Sequence, residues 1–171
     1  GLSYAIAHPE RVASVVITNS WLWSVEDDWY YRGFSGFVGG PIGGFLIRRF
    51  NFFARSVVRS VFGDKKKLTP ELRRHITEPL GRPEERKGSW VFPREIIGSS
   101  DWLESLWAGR GRLQGKVKLI VWGMKDVAFR EKELNRWAEA FPEARVVRLP
   151  EAGHFVAEEA PEELISAIEA L

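Results

Sequence analysis

The sequence contains no cysteine, and this absence removes several kinds of chemistry. Disulfide bonds and thiolate nucleophiles are excluded, and cysteine usage says nothing about the cellular compartment. There are only three histidines, and they form no close cluster with aspartate or glutamate along the chain. We therefore expect no dedicated metal site and no cofactor.

Long hydrophobic runs and a strong net charge are also missing. No apolar run reaches the roughly 18 residues of a membrane-spanning helix. The formal net charge of +2 is too small to indicate a nucleic-acid partner by itself. Residues 1–4 show neither an initiating methionine nor a signal-peptide pattern, and they already have helical character. We expect a cytoplasmic protein without a membrane or nucleic-acid partner, entered partway through its chain.

Short apolar segments that alternate with helical ones predict an α/β fold. The 171 residues, of which 44% are hydrophobic, are enough for one domain with a sizeable core. The predicted strands are Val12–Thr18, Val117–Trp122 and Arg145–Leu149, and helices are predicted over 1–8, 131–141 and 161–171. This spacing is typical of a parallel sheet flanked by helices.

Residues 21–97 follow a different pattern and predict a helical insertion between core segments 1–20 and 98–171. Within the insertion, helices are predicted over 45–62 and from Thr69-Pro70 onward, and a loop is predicted over 78–89. A further helix over 102–110, with a cap at Ser99 or Ser100, is predicted at the return to the core. The glycine-rich stretch 36–44 lacks the G-K-[ST] ending of a phosphate loop. Nine Lys and Arg lie between residues 48 and 74. They favour the outer face of amphipathic helices, with a nucleic-acid or anionic membrane surface as the alternative.

Asp126 and His154 are the strongest candidates for chemistry. Each follows a predicted strand, and the carboxyl ends of parallel strands meet at one edge of a sheet. A histidine that acts as a base needs a carboxylate on its other ring nitrogen. Taken singly, Asp126 would be a helix cap and His154 a loop residue, but the pair matches the second half of an α/β-hydrolase triad. His8 and His75 are expected on the surface.

Four stretches of sequence carry a resemblance to a known family. They are V-W-G-M-K-D-V-A-F (121–129), L-P-E-A-G-H-F-V-A-E-E-A-P-E-E (149–163), H-P-E-R-V (8–12) and W-V-F-P-R-E-I (90–96). They resemble the haloalkane dehalogenases of the α/β-hydrolase superfamily, most strongly over 1–20 and 117–163. The resemblance implies the C-terminal part of an α/β-hydrolase fold with a helical cap, in which Asp126 is the acid and His154 the base.

The same resemblance implies that the nucleophile, an Asp in a G-x-D-W-G-G turn, lies just upstream of Gly1. The 171 residues alone are then expected to be inactive, with the N-terminal part of the protein as their partner. The implied substrates are small halogenated hydrocarbons and water, halide is a product, and the role is detoxification, with an oligomer as an open possibility. Candidates for a halide-binding indole are Trp21, Trp23, Trp29 and Trp90.

The sequence leaves other functions open. An epoxide hydrolase uses the same Asp–His–Asp set with cap tyrosines, for which Tyr30 and Tyr31 are candidates. A serine in the upstream turn would indicate an esterase instead. The remaining alternative is a non-catalytic segment that binds a ligand or a partner.

Overall fold

A computed structural model describes all residues, Gly1–Leu171. It contains a three-stranded sheet of β1 (Val15–Thr18), β2 (Val117–Gly123) and β3 (Arg145–Leu149), in the order β1-β2-β3. Both strand pairs are parallel, with Ile17 opposite Ile120 and Ile120 opposite Val146. The predicted parallel α/β architecture is therefore confirmed.

Ten α-helices accompany the sheet. They are α1 (Leu2–Ala7), α2 (Trp29–Val38), α3 (Pro41–Phe50), α4 (Val58–Val61), α5 (Pro70–Thr77), α6 (Lys87–Gly98), α7 (Ser100–Ala108), α8 (Glu131–Ala140), α9 (Val156–Glu159) and α10 (Pro161–Glu169). Shorter helical turns lie at Pro9–Arg11, Phe53–Val57, Glu78–Leu80, Pro83–Arg86 and Gly109–Leu113. None of the helices is long and apolar enough to cross a lipid bilayer.

The chain divides into two compact units. The first comprises Gly1–Trp21, Val61–Lys67 and Leu106–Leu171, and the second comprises Leu22–Ser60 and Leu68–Ser105. The first unit contains the whole sheet, and the second contains no strand. The assignment of residues 21–97 to a cap stays a prediction.

The core of the first unit forms around β2. Four consecutive residues of this strand, Leu119 to Trp122, are completely buried, as expected for a central strand covered on both faces. Helix α8 buries Leu134 and Trp137, and the Trp137 indole donates a 2.8 Å hydrogen bond to the carbonyl oxygen of Ser20. This bond ties α8 to the segment that follows β1.

Strand β1 begins later than predicted and has one unpaired edge. Residues 12–14, which follow the 3₁₀ turn at Pro9–Arg11, do not pair in the sheet. Pairing starts at Val15, whose main-chain N–H donates to the carbonyl oxygen of Lys116 at 2.8 Å, and not at Val12. On its other side β1 pairs with no strand of this chain. Strand β3 forms the opposite edge of the sheet.

In the second unit, the predicted continuous helix over 45–62 is wrong. Helix α3 ends at Phe50, and the next residue, Asn51, adopts the left-handed conformation with φ of 55°. Asparagine tolerates this conformation better than most residues, and its side-chain amide donates to the carbonyl oxygen of Leu80 at 3.2 Å. The chain restarts as a π-helical turn at Phe53–Val57 before α4.

The predicted start of α5 is confirmed, whereas the neighbouring loop and cap predictions are wrong. Thr69 accepts a hydrogen bond from the Leu72 N–H at 3.1 Å, with Pro70 in the first helical position. The expected loop over 78–89 contains two 3₁₀ turns and the start of α6. Ser99 directly precedes α7 and its carbonyl oxygen accepts from the Leu103 N–H at 2.9 Å. The predicted side-chain cap does not form, because the Ser99 hydroxyl donates to Glu95 at 2.8 Å and the Ser100 hydroxyl has no partner.

Buried Arg86 explains why the 78–89 segment is ordered. The guanidinium donates to the carbonyl oxygens of Leu80 at 2.8 Å, Arg48 at 2.7 Å and Gly81. A buried cation needs such acceptors, and the last carbonyls of a helix such as α3 have no partner inside the helix. Arg86 therefore joins the end of α3 to the two 3₁₀ turns.

Candidate active site

Asn19, Asp126 and His154 follow the carboxyl ends of β1, β2 and β3 at one edge of the sheet. Main-chain hydrogen bonds join the turn after β2 to the segment after β3. The N–H of Met124 donates to the carbonyl oxygen of Leu149 at 3.0 Å, and the N–H of Lys125 donates to the carbonyl oxygen of Ala152 at 2.9 Å. The backbone thus places the loop of the acid against the loop of the histidine.

The structure brings the two predicted site residues into direct contact. The Nδ1 atom of His154 lies 2.8 Å from Oδ2 of Asp126. The Asp126 side chain is fully buried, whereas that of His154 is 27% exposed. When the carboxylate is ionised and the imidazole neutral, Nδ1 donates the proton and Nε2 carries the lone pair, because an ionised carboxylate can only accept. This tautomer is the one that accepts a proton from water or another acid.

Asp126 has two further partners that hold its carboxylate in place. The main-chain N–H of Ala128 donates to Oδ1 at 2.7 Å, and Nδ2 of Asn19 donates to Oδ2 at 2.9 Å. Asn19 also bonds the main chain of Gly123 in both directions, at 3.1 Å to the carbonyl oxygen and at 2.8 Å from the N–H. Both oxygens of the buried carboxylate therefore accept hydrogen bonds, and Asn19 fixes the side chain to the end of β2.

Sequence reasoning missed this role of Asn19. The available signal was its position: an amide that directly follows a strand lies at the same sheet edge as Asp126.

Aromatic rings surround the His154 imidazole. Phe129 stacks on it at a centroid distance of 5.2 Å, and Phe155 approaches edge-on at 5.0 Å. Trp21 stacks on Phe129 at 4.9 Å, and the buried Trp122 donates from its indole to the Phe129 carbonyl oxygen at 3.2 Å. These rings limit water around the imidazole, which strengthens its electrostatic contacts.

Comparison with known proteins identifies the family. A family model described as the alpha/beta hydrolase fold matches residues 1–161. The chain belongs to the α/β-hydrolase family. The acid–histidine contact at the carboxyl edge of this α/β-hydrolase sheet has the chain order expected for that fold.

The α/β-hydrolase chain is similar to several characterised proteins. It is 31% identical over 169 residues to haloalkane dehalogenase 2 of Mycobacterium tuberculosis, a match that covers 98% of this chain and 58% of that protein. It also matches the structure of haloalkane dehalogenase DatA from Agrobacterium tumefaciens C58, at 21% identity and a TM-score of 0.79, over 99% of this chain and 61% of DatA. These matches confirm the resemblance predicted from the four sequence stretches.

A further structural match is an epoxide hydrolase. The Cif epoxide hydrolase of Acinetobacter nosocomialis is 19% identical, with a TM-score of 0.76 over 98% of this chain and 56% of that protein. At this identity the two structural matches show the α/β-hydrolase fold alone. The chain spans somewhat more than half the length of these relatives.

The four candidate tryptophans of this α/β hydrolase differ in their surroundings. Trp21 reaches His154 through the stacked ring of Phe129. In the second unit, Trp23 is buried, Trp29 is 80% exposed and Trp90 packs against Gly44. The ring stack that contains His154 includes Trp21.

The remaining candidate residues are described by their own surroundings. His75 is exposed on α5, and His8 is exposed with Glu10 at 3.8 Å. Tyr30 and Tyr31 lie in the second unit with ring centroids 5.5 Å apart, and Tyr31 is buried.

Proposed function

We propose that this chain is the acid–base half of a haloalkane dehalogenase, with the nucleophilic carboxylate outside residues 1–171. The observation that carries the proposal is the 2.8 Å contact between Asp126 and His154. The likeness to haloalkane dehalogenase 2 of M. tuberculosis supports the choice of substrate class. The proposed products are an alcohol and a halide ion.

The proposed reaction has two steps. First, the external carboxylate attacks the carbon that bears the halogen, the carbon–halogen bond breaks with its electron pair on the halide, and an alkyl ester forms. Next, Nε2 of His154 takes a proton from water while the water oxygen attacks the ester carbonyl. The bond between the acyl carbon and the ester oxygen breaks, and the leaving oxygen takes the proton from the imidazolium to give the alcohol. The carboxyl group that remains releases its proton to solvent, which regenerates the carboxylate. Asp126 stabilises the imidazolium that exists between these proton transfers.

The domain assignment belongs to the same proposal. Residues 1–20 and 98–171 would supply the catalytic core, and residues 21–97 would supply the helical cap. Among the tryptophans, we assign the halide contact to Trp21, because its ring is stacked with Phe129, which in turn stacks on His154. In the full-length protein, Trp21→Phe should keep the stack but slow halide formation, and an unchanged halide release rate would contradict the assignment.

Replacement of His154 by alanine tests the central role. In the full-length protein that contains this chain, His154→Ala should release about one halide per enzyme from 1-bromobutane and then stop. Intact mass spectrometry should show an added butyl group. The exposed His75 gives a matched control, since His75→Ala should turn over normally. Continued hydrolysis in His154→Ala would contradict the role of the imidazole.

A substrate panel separates this activity from the neighbouring ones. Epoxide opening requires a proton donor for the leaving oxygen, and the neighbouring Tyr30 and Tyr31 are candidates for that donor. The panel therefore includes an epoxide. We expect the wild type to act on 1-bromobutane and not on 1,2-epoxybutane or 4-nitrophenyl butyrate. Turnover of the epoxide or the ester alone would replace the proposal with that activity, and no turnover of any of the three would favour a binding role.

A further inference from the structure

Glu159 is a buried carboxylate that the proposed chemistry does not use. It ends α9 and is only 1% exposed. A buried carboxylate is costly unless its oxygens accept hydrogen bonds. Its partners are all main-chain N–H groups: Oε1 accepts from Gly153 at 3.0 Å, and Oε2 accepts from Gly63 at 2.8 Å and Asp64 at 3.0 Å.

These bonds join two segments that are distant in sequence. Gly153 directly precedes His154, whereas Gly63 and Asp64 belong to the Val61–Lys67 segment that packs with the first unit. One carboxylate thus receives donors from both segments at once. The ammonium group of Lys67 additionally donates to the main-chain oxygen of Glu159.

The two segments also contact each other directly. The main-chain N–H of His154 donates to the carbonyl oxygen of Val61 at 2.9 Å, and the Phe62 and Phe155 rings lie 5.0 Å apart. A Cβ atom on Gly153 would come within 2.3 Å of the Gly63 nitrogen, so the two backbones touch without side chains between them. The position of His154 therefore depends on this backbone contact.

We propose that Glu159 is a positioning residue that holds the His154 loop at the distance needed for proton transfer. The proposal rests on the proposed function of His154 and adds a residue through which its geometry is set. Glu159 acts on Gly153, and Gly153 sets the backbone from which the imidazole reaches Asp126. A misplacement of about 1 Å can slow a catalytic step by about 100-fold.

The glutamine variant is the most informative substitution. Glu159→Gln keeps the size of the side chain but replaces one acceptor oxygen with an NH₂ donor. Whichever way the amide is oriented, its NH₂ group faces another donor. That donor is either the Gly153 N–H or the pair of N–H groups from Gly63 and Asp64. Glu159→Asp keeps both acceptors and the charge but shortens the reach by about 1.5 Å. Glu158→Gln is the matched control, because Glu158 is the exposed neighbour on the same helix.

Rapid-mixing kinetics of the full-length enzyme separate positioning from general stability. In Glu159→Gln, the first halide should appear at a rate within about twofold of wild type, because ester formation does not need the imidazole. Steady-state turnover should fall about 10- to 100-fold, because water activation does need it. Glu159→Asp should recover part of this loss, and Glu158→Gln should behave as wild type. Equal loss in both phases, or unchanged turnover, would overturn the proposal.

A spectroscopic measurement keeps this test independent of the assigned reaction. The His154 Nδ1 proton, bonded to Asp126, should give a downfield proton NMR signal that is lost or broadened in Glu159→Gln and kept in Glu158→Gln. If the wild type releases no halide, the proposed function is wrong, while the NMR signal still decides the positioning role. A signal unchanged in Glu159→Gln would contradict that role whatever the reaction.

Discussion

Nδ2 of Asn19 lies 2.9 Å from Oδ2 of Asp126, so the ends of two neighbouring strands are joined through the oxygen that also contacts His154. The same amide donates to Gly123, and its oxygen accepts from the Gly123 N–H. This arrangement leaves the Asn19 side chain no freedom to rotate without breaking several bonds. Asn19 is thus the fixed neighbour of the acid.

A second carboxylate at this position should change the pH dependence of activity. In Asn19→Asp, two carboxylates would face each other at hydrogen-bond distance, and their repulsion favours a state in which the pair shares one proton. The protonated pair is a weaker partner for the imidazole, so the acidic limb of the kcat profile, which depends on water activation by His154, should move to higher pH. Assays across pH on the full-length protein check this. The control is Asn135→Asp, a charge change at an exposed helix position, which should leave the pH profile unchanged. An unchanged profile in Asn19→Asp would contradict coupling between the carboxylates at positions 19 and 126.

Gly153→Ala should destabilise the first unit and slow turnover. The added Cβ would lie 2.3 Å from the Gly63 nitrogen and 2.4 Å from the Val61 oxygen, and neither backbone atom can move freely. Overpacking of this kind costs about 1–3 kcal/mol. Urea denaturation of the full-length protein measures this effect. Gly88→Ala is the control: a Cβ there meets nothing within 4 Å, and stability should stay equal or rise.

Arg86→Met should weaken the second unit. The substitution keeps most of the side-chain length but removes the Arg86 donor from the carbonyl oxygens of Gly81 and Arg48, and it leaves Leu80 with the Asn51 amide alone. Hydrogen bonds to a charged group contribute about 1.5–3 kcal/mol, so a loss of at least that size is expected in the free energy of unfolding. Lys87→Met, at the exposed neighbouring position, should have little effect. Equal stability of both variants would show that the Arg86 bonds do not stabilise the unit.

The 171 residues expressed alone should aggregate or require a complementary chain. Strand β1 has one edge that pairs with no strand of this chain, and such an edge is a template for pairing with other molecules. Size-exclusion chromatography should show large species, and 1-bromobutane should give no halide. A monomer with a sharp melting transition would contradict the first expectation.

The sheet and the Asp126–His154 contact could be predicted because both follow from local patterns. Apolar β-branched segments marked the strands, and the rule that strand ends share one edge placed the acid near the histidine. Asn51 could not be predicted as a break, because the apolar spacing continues through it and its left-handed conformation is stabilised by Leu80. The role of Arg86 could not be predicted either, because one of its acceptors, the Arg48 carbonyl oxygen, lies 38 residues away in the sequence.

Glu159 illustrates the same limit more sharply. In the sequence it is one of several acids near the C-terminal helix, with nothing to distinguish it from Glu158. Only the fold reveals that one is buried and the other exposed. Local charge patterns carry no information about a contact that forms between distant segments.

The bond between Glu159 and Gly63 spans 96 residues, and this distance sets when the bond can form during synthesis. Closure of so long a loop has an entropic cost, and it must wait until the last helices have left the ribosome. The strands that carry Asn19 and Asp126 are made earlier and can pair before then. The Glu159 bonds that position His154 are therefore among the last contacts to form. In a nascent chain, Asp126 would be in place before His154.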